Sequence, residues 1–300
     1  MKCTKCKGKA AIELRRHNSA FCAQHFTEYF HNQVRRAINK FRMVDPTERI
    51  LVAISGGKDS LVLWDVLLQF GYRADGLYID LGIGGYSQTS GEKVQKFARE
   101  RNATLRHLSL AETYGFDVPD AAQNTRRPAC SACGLSKRYL FNREALNGGY
   151  DAVATGHNLD DEAATLLGNV LRWNTDALAR QTPILEGNPQ GFVRKIKPLV
   201  RLTEKETAAY AVLNGIDYIV EECPNAVGTR SHLYKEMLNH LERESPGTKH
   251  QFLFEFLKRA REPFEQADAV ELNACQSCGQ PTPGEICAFC RLTEQVLARA

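Results

Sequence analysis

No stretch of this sequence approaches the roughly 20 apolar residues that a helix needs to cross a bilayer, which excludes a helical membrane span. The first thirty residues are polar and basic, without the apolar centre of a secretory leader. The expectation is a soluble, cytoplasmic chain, and in that compartment thiols stay reduced. Ten cysteines in 300 residues are too dilute for a disulfide framework, so close cysteine pairs read as metal ligands. The strings GxxxxGK(S/T) and GxGxxG are both missing, which excludes a Walker A loop and a dinucleotide fingerprint. No internal repeat and no low-complexity segment is present, so a repeat array is excluded as well.

The formal net charge is only +4, but it is unevenly placed. Residues 1–50 hold eleven Lys or Arg against four Asp or Glu, leaving the remainder slightly acidic. A compact basic end suits an anionic partner such as nucleic acid, and suits a solvated surface equally well. The cysteines sort by spacing. Cys3-x-x-Cys6 with Cys22-x-x-His25 makes one quartet, and Cys275-x-x-Cys278 with Cys287-x-x-Cys290 makes another. Four such ligands close a tetrahedral zinc site, which is then structural. Cys130, Cys133 and Cys223 remain. Three thiolates close nothing: they hold an iron–sulfur cluster with one iron open, or carry redox and sulfur chemistry themselves. As small buried hydrophobes they would suit a polar loop poorly.

Between the two modules, apolar strands alternate with amphipathic helices. A helix is expected over Ala23–Phe41, ended by Asp45-Pro46. Strands follow at Ile50–Ile54, Ala74–Asp80, Leu105–Leu108, Ala152–Thr155, Val193–Ile196 and Ile216–Val220. Helices are expected at Ser60–Phe70, Glu92–Asn102, Leu135–Leu146, Asp160–Trp173 and Thr203–Leu213, with more between Ser231 and Arg261. The first cysteine pair falls in a long polar connection. This order predicts an α/β fold, a doubly wound parallel sheet flanked by N- and C-terminal zinc-binding modules. The expected divisions are an N-terminal finger with basic helix (1–45), a catalytic domain (46–228), a helical nucleic-acid-binding region (229–268) and a C-terminal finger (269–300).

The turn Ser55-Gly56-Gly57-Lys58-Asp59-Ser60 joins the first strand of that sheet to its first helix. Small residues there let backbone N–H groups approach an anion at the helix N-terminus. The string Gly156-His157-Asn158-Leu159-Asp160-Asp161-Glu162 stands at a second strand end. One carboxylate, expected to be Asp160, is accounted for as a helix N-cap. Two carboxylates there would also suit Mg²⁺ beside a pyrophosphate.

SGGKDS has the form of a pyrophosphatase loop, the PP-loop, whose enzymes cleave ATP between the α and β phosphates. With the Cys130/Cys133 pair, Cys223, the GLSKR string at Gly134–Arg138, GHNLDDEAAT from Gly156 and the flanking quartets, the whole chain resembles the TtcA/TtuA family of tRNA thiolases, its TtuA branch most closely. That resemblance implies a Rossmann-like PP-loop fold and ATP-dependent 2-thiolation of a T-loop uridine or 5-methyluridine, through adenylation of its C2 oxygen. It implies ATP with Mg²⁺, a 4Fe-4S cluster on Cys130, Cys133 and Cys223, and zinc on each quartet. The ATP-binding residues it implies are Ser55, Gly56, Gly57, Lys58, Asp59, Ser60, Ile79, Gly156 and Asp161; the catalytic ones are Asp59, Lys137 and Asp161. Partners implied are tRNA, a ubiquitin-like sulfur carrier ending in a thiocarboxylate, and a second copy in a homodimer.

Alternatives stay open on the residues alone. The same chemistry could act on the wobble uridine, or Cys130 or Cys133 could carry a persulfide that Cys223 resolves. An ammonia-using PP-loop ligase would not need three unpaired cysteines. A nucleic-acid-binding finger protein with a degenerate catalytic domain is opposed by the intact SGGKDS turn and Asp160-Asp161. Arg230, Lys235, Arg243, Lys249 and Arg259 are expected to grip phosphate, and each zinc module equally to grip tRNA, staple a terminus or form a dimer contact.

Overall fold

The computed structural model describes residues 1–226, 230–264 and 272–299; the expected boundaries at 228–229 and 268–269 lie outside the described residues. At the N-terminus, β1 (Ile12–Leu14) and β2 (Ser19–Phe21) form an antiparallel pair ahead of the long helix α1 (Ala23–Phe41). The chain continues through β3 (Arg49–Ile54), α2 (Lys58–Gln69), β4 (Arg73–Asp80), α3 (Gly84–Glu100) and β5 (Leu105–Ser109). Then come the short α4 (Leu110–Tyr114) and α5 (Val118–Asn124), α6 (Ala129–Asn147), β6 (Ala152–Thr155) and α7 (Leu159–Leu171). After these lie α8 (Thr175–Ala179), β7 (Ile184–Leu185), β8 (Arg194–Ile196), α9 (Glu204–Leu213), α10 (Arg230–Glu244) and α11 (Thr248–Glu255). A second antiparallel pair, β9 (Asn273–Ala274) with β10 (Pro281–Thr282), precedes α12 (Ala288–Leu297). Among the described residues no helix is long and apolar enough to cross a membrane.

Successive side chains of a strand point to opposite faces. Along β3, Ile50, Val52 and Ile54 enter one core with α1, α2 and α9, whereas Leu51 enters a second with α5, α6 and α12. Both faces are therefore covered, as a parallel sheet requires. The strands lie in the order β5-β4-β3-β6-β8-β7, parallel throughout except for β7 at the edge. Travel across the sheet reverses between β3 and β6, and ligands of such sheets sit beyond the strand ends at that point.

Four local expectations fail. Ile216–Val220 forms no strand and pairs with neither edge strand, β5 or β7. Instead its Ile219 N–H donates to the Gly56 carbonyl (3.0 Å), and Asp217 pairs with Lys93 and Lys96 of α3. The expected polar connection after β5 is largely helical: Ser109 caps α4, and Asp117 caps α5 through a reciprocal bond with Asp120. Finally, α6 begins directly after Pro128, so the first cysteine pair occupies a helical turn rather than a loop. Helix α3 likewise starts at Gly84 instead of Glu92.

Each cysteine module docks on the main body. The buried Glu206 of α9 accepts from Arg16 (3.1 Å), the Tyr29 hydroxyl (2.8 Å) and the Thr203 N–H (2.6 Å), fastening the N-terminal module. Phe289 of α12 stacks on Tyr139 of α6 at 4.0 Å between ring centroids and meets Tyr114 edge-on at 4.9 Å.

Candidate active site

Strand β3 delivers Ser55-Gly56-Gly57 to the start of α2. Gly56 has φ +80°, and a Cβ there would stand 2.9 Å from the Ser90 carbonyl oxygen, so the turn requires glycine. Ser60 fixes its shape: its hydroxyl donates to the Gly57 carbonyl (2.9 Å) and accepts from the Ser55 N–H (3.2 Å). The N–H groups of the first turn of α2 have no intrahelical acceptors and lie at the positive end of its dipole. Strand β6 brings Gly156 against the same turn. A Cβ on Gly156 would come within 2.8 Å of the backbone of both Asp59 and Ser60, so the two motifs touch only because this residue is glycine. Ile79 is buried near the end of β4, on the face toward α6.

Asn158, not Asp160, caps α7. Its side-chain oxygen accepts from the N–H groups of Asp160 (2.9 Å) and Asp161 (3.2 Å), and Asp161 accepts from the Asn158 N–H (3.0 Å). Asp160 is buried instead against the Lys249 ammonium (2.5 Å), and its other oxygen accepts from the Glu204 N–H (3.0 Å). Asp59 accepts from the Thr207 hydroxyl (2.5 Å), Lys58 (3.0 Å) and the Asn158 amide (3.2 Å). Burial pushes its carboxyl up, against the opposing pull of Lys58. Glu204 receives Lys58 at 2.8 Å and Lys235 at 3.3 Å, and Lys235 also reaches Asp161 at 2.6 Å. Burial would raise Glu204, but the two ammoniums outweigh it and hold it down to about 2. Of the expected phosphate grips, Lys235 and Lys249 thus face inward, and Arg259, just past α11, pairs with Glu255 four residues before it. Arg230 and Arg243 are exposed.

Cys130, Cys133 and Lys137 share one face of α6. The Cys130 thiol donates to the Asn225 carbonyl (2.7 Å). Partial burial, then the neighbouring sulfurs of Cys133 and Cys223, push this thiol up, while Lys137 pulls it the other way. The three sulfurs and Lys137 therefore occupy one electrostatic environment. Tyr86 of α3 belongs to it too: burial, then Cys223, raise its hydroxyl, with Cys133 a smaller contribution. Among the described residues, only the two quartets bring all their ligand atoms within 4.8 Å of one another. The trio is more open, as suits ligands separated by a cluster's own iron and sulfide.

The quartets have the donor set and compactness of single-metal sites. His25 Nδ1 lies 3.2 Å from Cys22 Sγ and 3.5 Å from Cys3 Sγ, and Cys278 Sγ lies 3.8 Å from Cys287 Sγ. Burial works to raise Cys3 and Cys275, yet backbone N–H groups bring both down to about 6, toward the thiolate a metal needs. These groups belong to Cys6, Cys22 and Lys5 in one module, and to Cys287, Cys278 and Ser277 in the other.

Sequence reasoning missed Glu204, Thr207 and Tyr86, and it assigned Lys235 to tRNA phosphate rather than to the carboxylates beside the nucleotide turn. Glu204 and Thr207 lie in the first turn of the helix expected from Thr203, where Thr203-x-x-Glu206 is a capping box, but nothing local says that this turn faces the nucleotide loop. Lys235 and Tyr86 carry no local signal.

The chain matches the PP-loop domain over residues 27–241 and the N-terminal LIM domain of the 2-thiouridine synthetase TtuA over residues 2–27. A tRNA-5-methyluridine(54) 2-sulfurtransferase of Thermus thermophilus is 50% identical over all of this chain and 93% of its own length. The enzyme of the same name from Pyrococcus horikoshii is 44% identical over 97% of this chain and 93% of its own. The solved structure of the U34-tRNA thiolase NcsA from Methanococcus maripaludis with its 4Fe-4S cluster superposes with a TM-score of 0.82 at 24% identity, covering 98% of this chain and 96% of that one. That likeness establishes the fold. With its paired strand-end motifs and its cysteine trio, this chain belongs to the TtuA-type PP-loop family of tRNA 2-sulfurtransferases.

Proposed function

We propose that this protein uses ATP to replace the C2 oxygen of uridine or 5-methyluridine 54, in the T-loop of tRNA, with sulfur. One observation carries the reading: Cys130, Cys133, Cys223 and Lys137 share an environment beside a PP-loop, and the segment leading to Cys223 is bonded to that loop through Ile219 and Gly56. The T-loop position is supported by the name that relatives 43–50% identical carry.

The C2 oxygen of uracil is a poor leaving group. Its attack on the α-phosphorus of ATP forms an O–P bond and expels diphosphate, leaving the oxygen as an AMP ester. Over the remaining reaction a C2–S bond forms, the C2–O bond breaks and AMP departs. The N–H groups opening α2, with Lys58, bind phosphate. Asp59 and Asp161 would hold Mg²⁺ by exchanging an ammonium partner for the metal. Lys137 lies on the face of α6 that meets the base and offsets negative charge developing there. A 4Fe-4S cluster on Cys130, Cys133 and Cys223 would supply an iron with an open position for hydrosulfide. The two quartets suit structural zinc.

The uridine has to leave its stack to reach this site. Arg230, Arg243 and the basic N-terminal module are the exposed groups suited to tRNA phosphates. The sulfur donor is a ubiquitin-like carrier with a C-terminal thiocarboxylate, as in the family. The test uses anaerobically purified protein, unmodified tRNA, ATP and sulfide, with mass spectrometry of the nuclease fragments. Brown, iron-containing protein that places the thio group at position 54, and loses the activity when any of Cys130, Cys133 or Cys223 becomes Ala, is expected. Full activity of iron-free protein, or a thio group at position 34, refutes the proposal.

A further inference from the structure

We infer that Lys235, projected from α10, is a second cation for the diphosphate end of ATP, held here on Glu204 and Asp161; the inference rests on the ATP chemistry proposed above. A single carboxylate, Glu204, bridges Lys58 (2.8 Å) and Lys235 (3.3 Å). An anion bound by the PP-loop lysine is therefore within reach of Lys235 as well. The second partner of Lys235 is Asp161 at 2.6 Å, at the opening of α7 beside the same turn. Both carboxylates that hold it belong to the nucleotide end of the sheet, so this ammonium faces the site and not the solvent.

The place of Lys235 is set by packing rather than by these ion pairs. Tyr234 lies against α7, where a Cβ on Gly168 would meet its ring at 2.7 Å. Leu238, one turn on, is buried with Ala163 and Ala164. Helix α10 is thereby seated whether or not Glu204 and Asp161 keep their partner. Burial works against the charge of Lys235, and Asp161 and Glu204 outweigh it, so the group remains an ammonium. The triphosphate brings several negative charges to a turn whose one lysine is Lys58. Recruiting Asp161 for a metal would leave Lys235 short of a partner, and the departing diphosphate oxygens are the anions that could replace it.

The experiment measures binding of inorganic diphosphate, ATP and AMP, each with Mg²⁺, by calorimetry on the full chain. For Lys235→Met, diphosphate and ATP should weaken about 10- to 100-fold, as expected for loss of a charge-assisted hydrogen bond. AMP binding should remain within about twofold. Lys235→Arg, which keeps the charge, should retain most of the affinity. It also provides the readout if the methionine variant melts at a lower temperature. Unchanged diphosphate and ATP affinity in Lys235→Met overturns the inference, as does an equal loss for AMP, which would mark a structural role. If the unaltered protein binds neither ATP nor diphosphate, the failure lies in the ATP chemistry itself and the inference falls with it.

Discussion

Lys249 has the sequence context of a phosphate-gripping lysine and the structural context of a buried strut, and one substitution separates the two. Its ammonium contacts Asp160 at 2.5 Å and the Asn239 side chain, and the residue is 4% exposed. Lys249→Met strands the Asp160 carboxylate in the interior with only the Glu204 N–H as donor. Removing one partner of a buried pair costs about 3–5 kcal/mol. For a chain of this size that lowers the melting temperature by roughly 5–8 °C. Asp160→Asn combined with Lys249→Met should recover most of the loss, because no uncompensated charge remains. The companion measurement is tRNA affinity against salt. A lysine on a phosphate contributes about one unit to the slope of log affinity against log salt, and its removal lowers the slope by that much. A strut contributes none. An unchanged melting temperature together with a slope reduced by about one would refute the assignment, as would a double variant no more stable than Lys249→Met.

Three further outcomes are expected. Gly156→Ala should abolish ATP binding while leaving the far-ultraviolet circular dichroism intact, because the added methyl displaces the backbone of Asp59 and Ser60; normal ATP affinity would show that the two turns need not touch. His250 is held down to about 4 by burial and by Arg16, Arg201, His17 and Lys40, against an ordinary value of 6.5. Its folded value is depressed, so its contribution to stability is complete above pH 6.5 and is lost as pH falls toward 4. His250→Gln should flatten unfolding free energy across that window, and an unaltered slope in denaturant titrations would remove His250 as the cause. Cys275→Ser should lower the melting temperature and the bound zinc while sparing residual thiolation, since its module touches α6 through Phe289 rather than through the thiol trio; a protein of normal stability without activity would contradict this.

The parts of the molecule visible in the sequence are those governed by neighbours in the chain. SGGKDS announces an anion-binding turn because glycines, a helix N-terminus and the preceding apolar strand are contiguous, and both quartets are legible for the same reason. Helix α6 was obscured by its own composition: Gly134 and the small residues around the cysteine pair break the helical pattern, although Pro128 marked its start. Ile216–Val220 has the β-branched content of a strand, but strand propensity yields to tertiary context, here the bond from Ile219 to Gly56 and the pairing of Asp217 with α3. Lys235 and Lys249 looked like surface charge because their partners, Asp161 and Asp160, are far away in the sequence; Asp160 and Lys249 are 89 residues apart. Contacts of that separation leave no local pattern to read.

The nucleotide turn and the thiol trio are not independently adjustable, because α3 borders both. Tyr86, Ser90 and Lys93 fall on adjacent turns of that helix. Ser90 closes against Gly56, Tyr86 stands by Cys133 and Cys223, and Lys93 holds Asp217 on the segment that continues to Cys223. The register of α3 is itself fixed by the buried Tyr78 hydroxyl, which donates to the Ser87 carbonyl (2.7 Å) and lies 2.7 Å from the Ser90 hydroxyl. A substitution that rotates or shifts α3 moves the floor of the phosphate turn and the neighbour of the sulfurs together. The proposed activation of an oxygen and delivery of sulfur to the same carbon would demand that these two places keep a constant separation, and a single helix shared between them supplies it.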